Sequence, residues 1–237
     1  MLRDLFYSKG LDLSLLMGNH FKGLHKSTVI KRLLRLIDGG FIEKRAIPLQ
    51  NKCQFVYVIT AFGLTAIDHL ISGKMIRKEL KGSNLEHDLI VAKIYFKVCA
   101  AKNLNDCKLE NEIQSIVFGD FDRDIDAFRR LNTDIYCALN IDDSIYKIAI
   151  EYERSQKESG RWTEYLLNYH LEESVNVVLY ICENETIKNS LMNIEKEYSK
   201  KYTEKIFFCS YREFFSNLDF AIFKNTNGKS FKLNFQG

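Results

Sequence analysis

At 237 residues, 46% hydrophobic and 27% charged, the chain has enough apolar material for a packed core and length for one large or two ordinary domains, which excludes disorder as the default. No apolar run approaches the ~20 residues that span a bilayer, and the opening MLRDLFYSKG lacks the apolar stretch of a secretory signal, so a cytoplasmic protein without membrane partners is expected. The net charge of +3 hides an imbalance: residues 1–81 carry 14 Lys+Arg against 6 Asp+Glu, a net of +8, and the remainder is net −5, which points to a nucleic-acid-binding module beside something else.

Leu11–Met17 reads as a short apolar helix. Residues 25–38, HKSTVIKRLLRLID, form the clearest helix of the front half: Ser27 or Thr28 can cap it, Ile30, Leu33, Leu34 and Ile37 recur at helical spacing, and Gly39-Gly40 ends it. Lys26, Lys31, Arg32 and Arg35 lie mainly off that stripe. FIEKRAIPL and CQFVYVIT predict two strands around a short loop, and Thr60–Ile71 resumes a helix with Thr60 as a possible cap. Helices, then a basic helix, then a hairpin is the order of a winged helix-turn-helix over residues 1–72. In that geometry Lys26, Lys31, Arg32 and Arg35 face duplex DNA, and Lys44, Arg45 and Lys52 belong to the wing.

Residues 73–83, with mixed charge and little pattern, predict a linker, and LEHDLIVAKIYFKVCA (85–100) predicts a buried helix opening a second domain over 84–237. Strands are predicted at Leu109–Val117, Asp134–Leu139, Tyr146–Tyr152, Val175–Ile181 and Lys205–Cys209, with helices at Arg161–Leu171 and Thr186–Lys200. The expected fold class is α/β (α+β), the second domain holding a mixed sheet. The six cysteines are scattered with no C-x-x-C, and the five histidines form no H-E-x-x-H, so reduced thiols are expected and a structural zinc is not.

The stretch most informative for chemistry is residues 133–170. DIYCAL and YKIAIEY flank NIDDS, which reads as a turn, so the two strands should pair as a hairpin. Asp134 opens the first strand, and Glu151 and Glu153 close the second on one face, opposite Tyr152. Three carboxylates meeting at a hairpin end repel one another, and an all-oxygen set suits a hard cation, Mg²⁺ or Mn²⁺. Lys157 and Arg161 follow closely and could hold a phosphate. E-x-E by itself is a weak signal, and Glu and Lys near a strand end are commonly solvated surface.

The T-D…E-x-E…K pattern on strand, strand and helix resembles the PD-(D/E)xK restriction-endonuclease superfamily. Together with a winged helix it resembles the replication-relaxation family, and within it the MOBC-class relaxases of mobilisable plasmids. The matching pieces are YVITAFGLTAI (57–67), LEHDLIVAKIY (85–95), TDIYCAL (133–139) and IAIEYERSQKESGRWTEYLLNY (148–169). The resemblance implies a restriction-endonuclease-like second domain with Asp134 and Glu151 as its acids. Glu153 stands where many members have lysine, so Lys157 would be the displaced base. Glu86 and His87 match a helix that lends a polar group to related sites.

The activity so implied is metal-dependent nicking of one strand at a plasmid transfer origin. Duplex DNA, the nicked or single strand and accessory mobilisation proteins would be the partners. The alternatives are a DNA-binding replication or transcription regulator whose nuclease-like domain is inactive, and a restriction-type endonuclease cutting both strands.

Overall fold

Capping chemistry fixes where the first elements begin. In the computed structural model, which describes residues 1–49, 52–71, 74–75, 84–117 and 123–236, the chain opens with α1 (Leu2–Tyr7). A two-residue strand, β1 (Leu11–Asp12), then turns at once into α2 (Leu13–Asn19). Asp12 makes that switch: one carboxylate oxygen caps α2 at the Leu15 N–H (2.8 Å) and the other accepts from Gln54 Nε2 (2.8 Å). The expected helix at Leu11–Met17 therefore starts two residues later, after a strand that the sequence reading did not separate.

The helix expected at 25–38 is α3 (Lys26–Asp38), and its cap is the His25 side chain, which accepts from the Ser27 N–H, in place of Ser27 or Thr28. Its buried residues are Val29 and Leu33, one turn apart, while Leu34 is 51% exposed although the periodicity had put it in the core. The hairpin follows as β2 (Ile42–Leu49) and β3 (Lys52–Ile59), paired antiparallel from Ile42↔Ile59 to Leu49↔Lys52. Thr60 caps α4 (Ala61–Ile67) as expected, and a 3₁₀ turn (Asp68–Leu70) ends it. Gly63 is required there: an added Cβ would fall 2.0 Å from the Phe41 carbonyl oxygen.

The front of the chain thus holds three helical segments, α1, α2 and α3, and a three-stranded sheet of order β1-β3-β2. Residues 50–51, between β2 and β3, and most of the expected 73–83 linker lie outside the described residues, save β4 (Lys74–Met75). The helix α5 (Leu85–Val98) matches the expected 85–100 segment.

The chain divides into two compact units, residues 1–96 with 111–121, and residues 97–110 with 122–237. Most of α5 thus groups with the front unit. The reason is packing: Leu85 and Leu89 sit on the cluster of Ile47, Val56 and Val58 from the hairpin, and Lys9 reaches Asp88 at 3.7 Å.

The strand expected at Leu109–Val117 is three elements: β5 (Leu104–Leu109), α6 (Glu110–Ser115) and β6 (Ile116–Val117), the last pairing with β4. An acidic opening, Glu110-Asn111-Glu112, favours a helix start, and Asn111 is buried with its amide donating to the Phe6 carbonyl at 2.8 Å. A further helix that the sequence reading missed, α7 (Arg123–Leu131), precedes β7 (Ile135–Ile141).

The expected hairpin is β7 with β8 (Ser144–Glu153), in register from Ile135↔Ile150 to Ile141↔Ser144. Its turn is Asp142-Asp143, both at positive φ (46° and 61°), the pair of left-handed residues a two-residue loop demands. Then come α8 (Ser159–Leu171), β9 (Val177–Cys182), α9 (Glu185–Tyr198), β10 (Ile206–Ser210), α10 (Tyr211–Ser216), β11 (Phe220–Lys224) and β12 (Ser230–Asn234).

The seven strands run β12-β11-β10-β9-β8-β7-β5. The pairs β8–β9 and β9–β10 are parallel and the rest antiparallel, so the sheet is mixed. Every residue of β9 and β10 is buried, as parallel strands covered on both faces require. The protein is therefore α+β, a three-stranded sheet in the first unit and a seven-stranded mixed sheet in the second.

Candidate functional site

In the first unit, Lys26, Lys31, Arg32 and Arg35 are all exposed. None of their side chains makes an ion pair or hydrogen bond with a described residue, so α3 carries four uncompensated cations. Lys31 and Arg35 stand one turn apart opposite the buried Val29–Leu33 stripe. Arg32 and Arg35 also border a cavity of about 470 Å³ with His20, Phe21 and Leu36.

On the β2–β3 hairpin, Lys44 is exposed over the Phe55 ring at 3.9 Å, and Arg45 is held by Glu43, with Nε 2.8 Å from its carboxylate. The Lys52 side chain lies outside the described residues. Glu86 and His87 are also in this unit, His87 Nδ1 being 3.7 Å from the Asp88 carboxylate.

In the second unit, the β7–β8 register carries Asp134 to the end of the hairpin opposite Glu151. Asp134 Oδ2 accepts from the Tyr152 N–H at 2.9 Å, and the Asp134 backbone N–H in turn donates to the Glu151 carboxylate. Each acid is thus fixed by the other's strand. Burial first, then the charge of Asp134, pushes the Glu151 carboxyl well above the usual carboxylate range, against opposing pulls from Tyr169 and Lys157.

Helix α8 supplies the lid of this end. Trp162, Leu166 and Tyr169 recur at helical spacing and are buried against the sheet. Tyr169 donates its hydroxyl hydrogen to Glu151 and its oxygen pairs with Thr133 Oγ1 at 2.8 Å. Burial and the neighbouring Glu151 hold the Tyr169 phenol up, so it stays a neutral donor.

Glu153 is placed differently. It is 5% exposed, and one oxygen accepts from both Lys157 Nζ (2.6 Å) and Trp162 Nε1 (3.0 Å). The structure therefore brings Asp134 and Glu151 together and commits Glu153 to a cation and an indole. No group of three His, Cys, Asp or Glu set to hold a metal exists among the described residues. Lys157 is carried by Glu153 to the neighbourhood of Glu151, and its Nζ lies 5.3 Å from the Tyr165 ring centroid. Arg161 is exposed on the first turn of α8 and donates to the Tyr165 hydroxyl at 3.3 Å.

Two adjacent acids with one carboxyl held above its normal range fit a hard dication. Such an ion takes one or two protein carboxylates and fills its remaining positions with water and phosphate oxygens. Asp134 and Glu151 would hold it.

Trp162 is not among the site residues expected from sequence, and Tyr169, expected near the carboxylates, gains a defined part as a donor to Glu151. The available signal was their i, i+7 spacing with Leu166 between them, two polar-tipped aromatics on a buried helix face.

No family model, curated protein or solved structure matches the chain.

Proposed function

We propose that the protein is a metal-dependent DNA endonuclease of the relaxase kind. On this reading it acts in the cytoplasm and nicks one strand at a plasmid transfer origin, with duplex DNA bound by the first unit. Its other partners would be the nicked or single strand and accessory mobilisation proteins. The observation that carries this reading is the end of the β7–β8 hairpin, where Asp134 and Glu151 are fixed side by side and Glu153 delivers Lys157 to the same end.

A Mg²⁺ or Mn²⁺ ion held there would supply Lewis-acid activation of an oxygen nucleophile and of the scissile phosphate. The chain's own residues do the rest. Tyr152 N–H and Tyr169 O–H hold the two carboxylates in orientation, so that no side-chain search is needed when DNA arrives. Lys157, exchanging Glu153 for a phosphate oxygen, offsets negative charge as it develops, and Arg161, exposed one helical turn on, is a second phosphate contact. The six free thiols fit a reducing compartment. No helix among the described residues is long and apolar enough to cross a membrane.

One observation favours a second reading, a DNA-binding regulator with a silent nuclease-like domain. Glu153, Lys157 and Trp162 satisfy one another, which leaves two of the three expected acids for a metal. Supercoiled plasmid carrying candidate origins separates the readings. Open circles formed only with Mg²⁺ or Mn²⁺ support the relaxase, and linear product supports a restriction-type enzyme. Duplex binding without cleavage under any metal supports the regulator.

A further inference from the structure

Three of the six cysteines, Cys99, Cys107 and Cys137, come from separate segments of the second unit. Cys107 of β5 is the direct antiparallel partner of Cys137 of β7. The Cys137 and Cys99 thiols are the neighbours that act on the Cys107 thiol. Cys99 lies just after α5, in the segment that belongs to this unit. Exposure rises along the series: Cys137 is buried, Cys107 intermediate and Cys99 exposed. β5 ends the seven-stranded sheet, so the cluster sits at a sheet edge. Cys182 and Cys209 are buried, and Cys53 belongs to the other unit, so none of these shares that path from solvent.

We propose that Cys99, Cys107 and Cys137 form a thiol relay, a site of reversible oxidation whose substrate is a peroxide. The Cys99 thiolate attacks one peroxide oxygen; the O–O bond breaks, water leaves after protonation, and Cys99 becomes a sulfenic acid. The Cys107 sulfur then attacks the Cys99 sulfur. The S–O bond breaks, and the departing hydroxide takes the Cys107 proton as a second water. Two thiols and one peroxide thus give one disulfide and two waters. Cys137 next attacks Cys107, Cys99 leaves with the Cys137 proton, and the cross-strand Cys107–Cys137 disulfide remains while the exposed thiol is restored. Burial and the two neighbouring thiols push the Cys107 thiol up, so closure is slow at neutral pH and speeds as pH rises.

The test exposes folded protein to one equivalent of hydrogen peroxide, blocks residual thiols with N-ethylmaleimide, counts them by intact mass and maps links after proteolysis. Two of the six thiols should disappear, with every link inside the trio. Cys99→Ser should slow the loss at least about tenfold and retain the Cys107–Cys137 link, because the exposed entry is gone. Cys107→Ser should stop at a Cys99 sulfenic acid, trapped by dimedone, with no disulfide. Six thiols surviving in wild type, links mapping outside the trio, or a disulfide persisting in Cys107→Ser would each overturn the proposal.

Discussion

Replacing Asp134 or Glu151 by alanine is expected to lower nicking by roughly three orders of magnitude or more, the scale of losing several kcal/mol of charge stabilisation in the transition state. Duplex binding should stay within about twofold of wild type, because the first unit has its own core of Val29, Leu33, Ile42, Val56 and Val58. Lys157→Ala should cost about a hundredfold in rate with little change in metal affinity, since its proposed partner is the phosphate.

Glu153→Gln separates the observed site from the three-carboxylate site that the strand pattern suggests. A glutamine can still accept from Trp162 Nε1 while releasing Lys157. It should therefore keep metal binding, and keep more than about a tenth of the activity. Nicking kinetics on supercoiled plasmid with each variant, beside a binding titration on linear duplex, give all of these values. Full activity in both Asp134→Ala and Glu151→Ala would remove the hairpin end from the chemistry.

The second large effect is on binding. Arg32→Glu with Arg35→Glu turns two unpaired cations of α3 into anions and should weaken duplex binding by more than a hundredfold at moderate salt. The fold should tolerate this, because both side chains are exposed. The main penalty is a Glu in the last turn of α3 where Arg35 now favours the helix dipole, about 1 kcal/mol or less. Single Arg→Ala changes should each reduce the slope of log affinity against log salt by about one if they contact phosphate. Fluorescence anisotropy across a salt series measures both. An unchanged affinity in the folded double variant would take α3 out of the interface.

How far these residues were legible in sequence depends on the range of the interaction that places them. The cap at Thr60, the turn at Asp142-Asp143 and the alternation of Glu151, Tyr152 and Glu153 are local, and local rules read them. Leu34 defeated the periodicity because a helix of alternating Leu and Arg offers two overlapping apolar stripes. Tertiary packing chose Val29–Leu33. Residues 109–117 defeated it because a short helix between two short strands has no full period of either kind.

Alternation puts Glu153 on the face of Glu151 but does not give its partners, Lys157 and Trp162. Lys157 is four residues on, yet the second partner, Trp162, comes from the far side of a loop. The cysteine trio was out of reach altogether, since β5 and β7 are neighbours only through a helix-containing excursion of the chain.

Divalent-metal binding at the end of the β7–β8 hairpin is the claim on which the enzymatic reading rests. Isothermal titration of the full chain with Mn²⁺ tests it most directly. The expected result is one ion per chain, with affinity that rises with pH. The cation must displace the proton that burial and Asp134 keep on Glu151, in a site also faced by Lys157, Tyr169 and Tyr180. Asp134→Asn with Glu151→Gln should abolish binding, and Glu153→Gln should preserve it. No binding by wild type at any pH where it is folded, or undiminished binding by the double variant, would contradict the account.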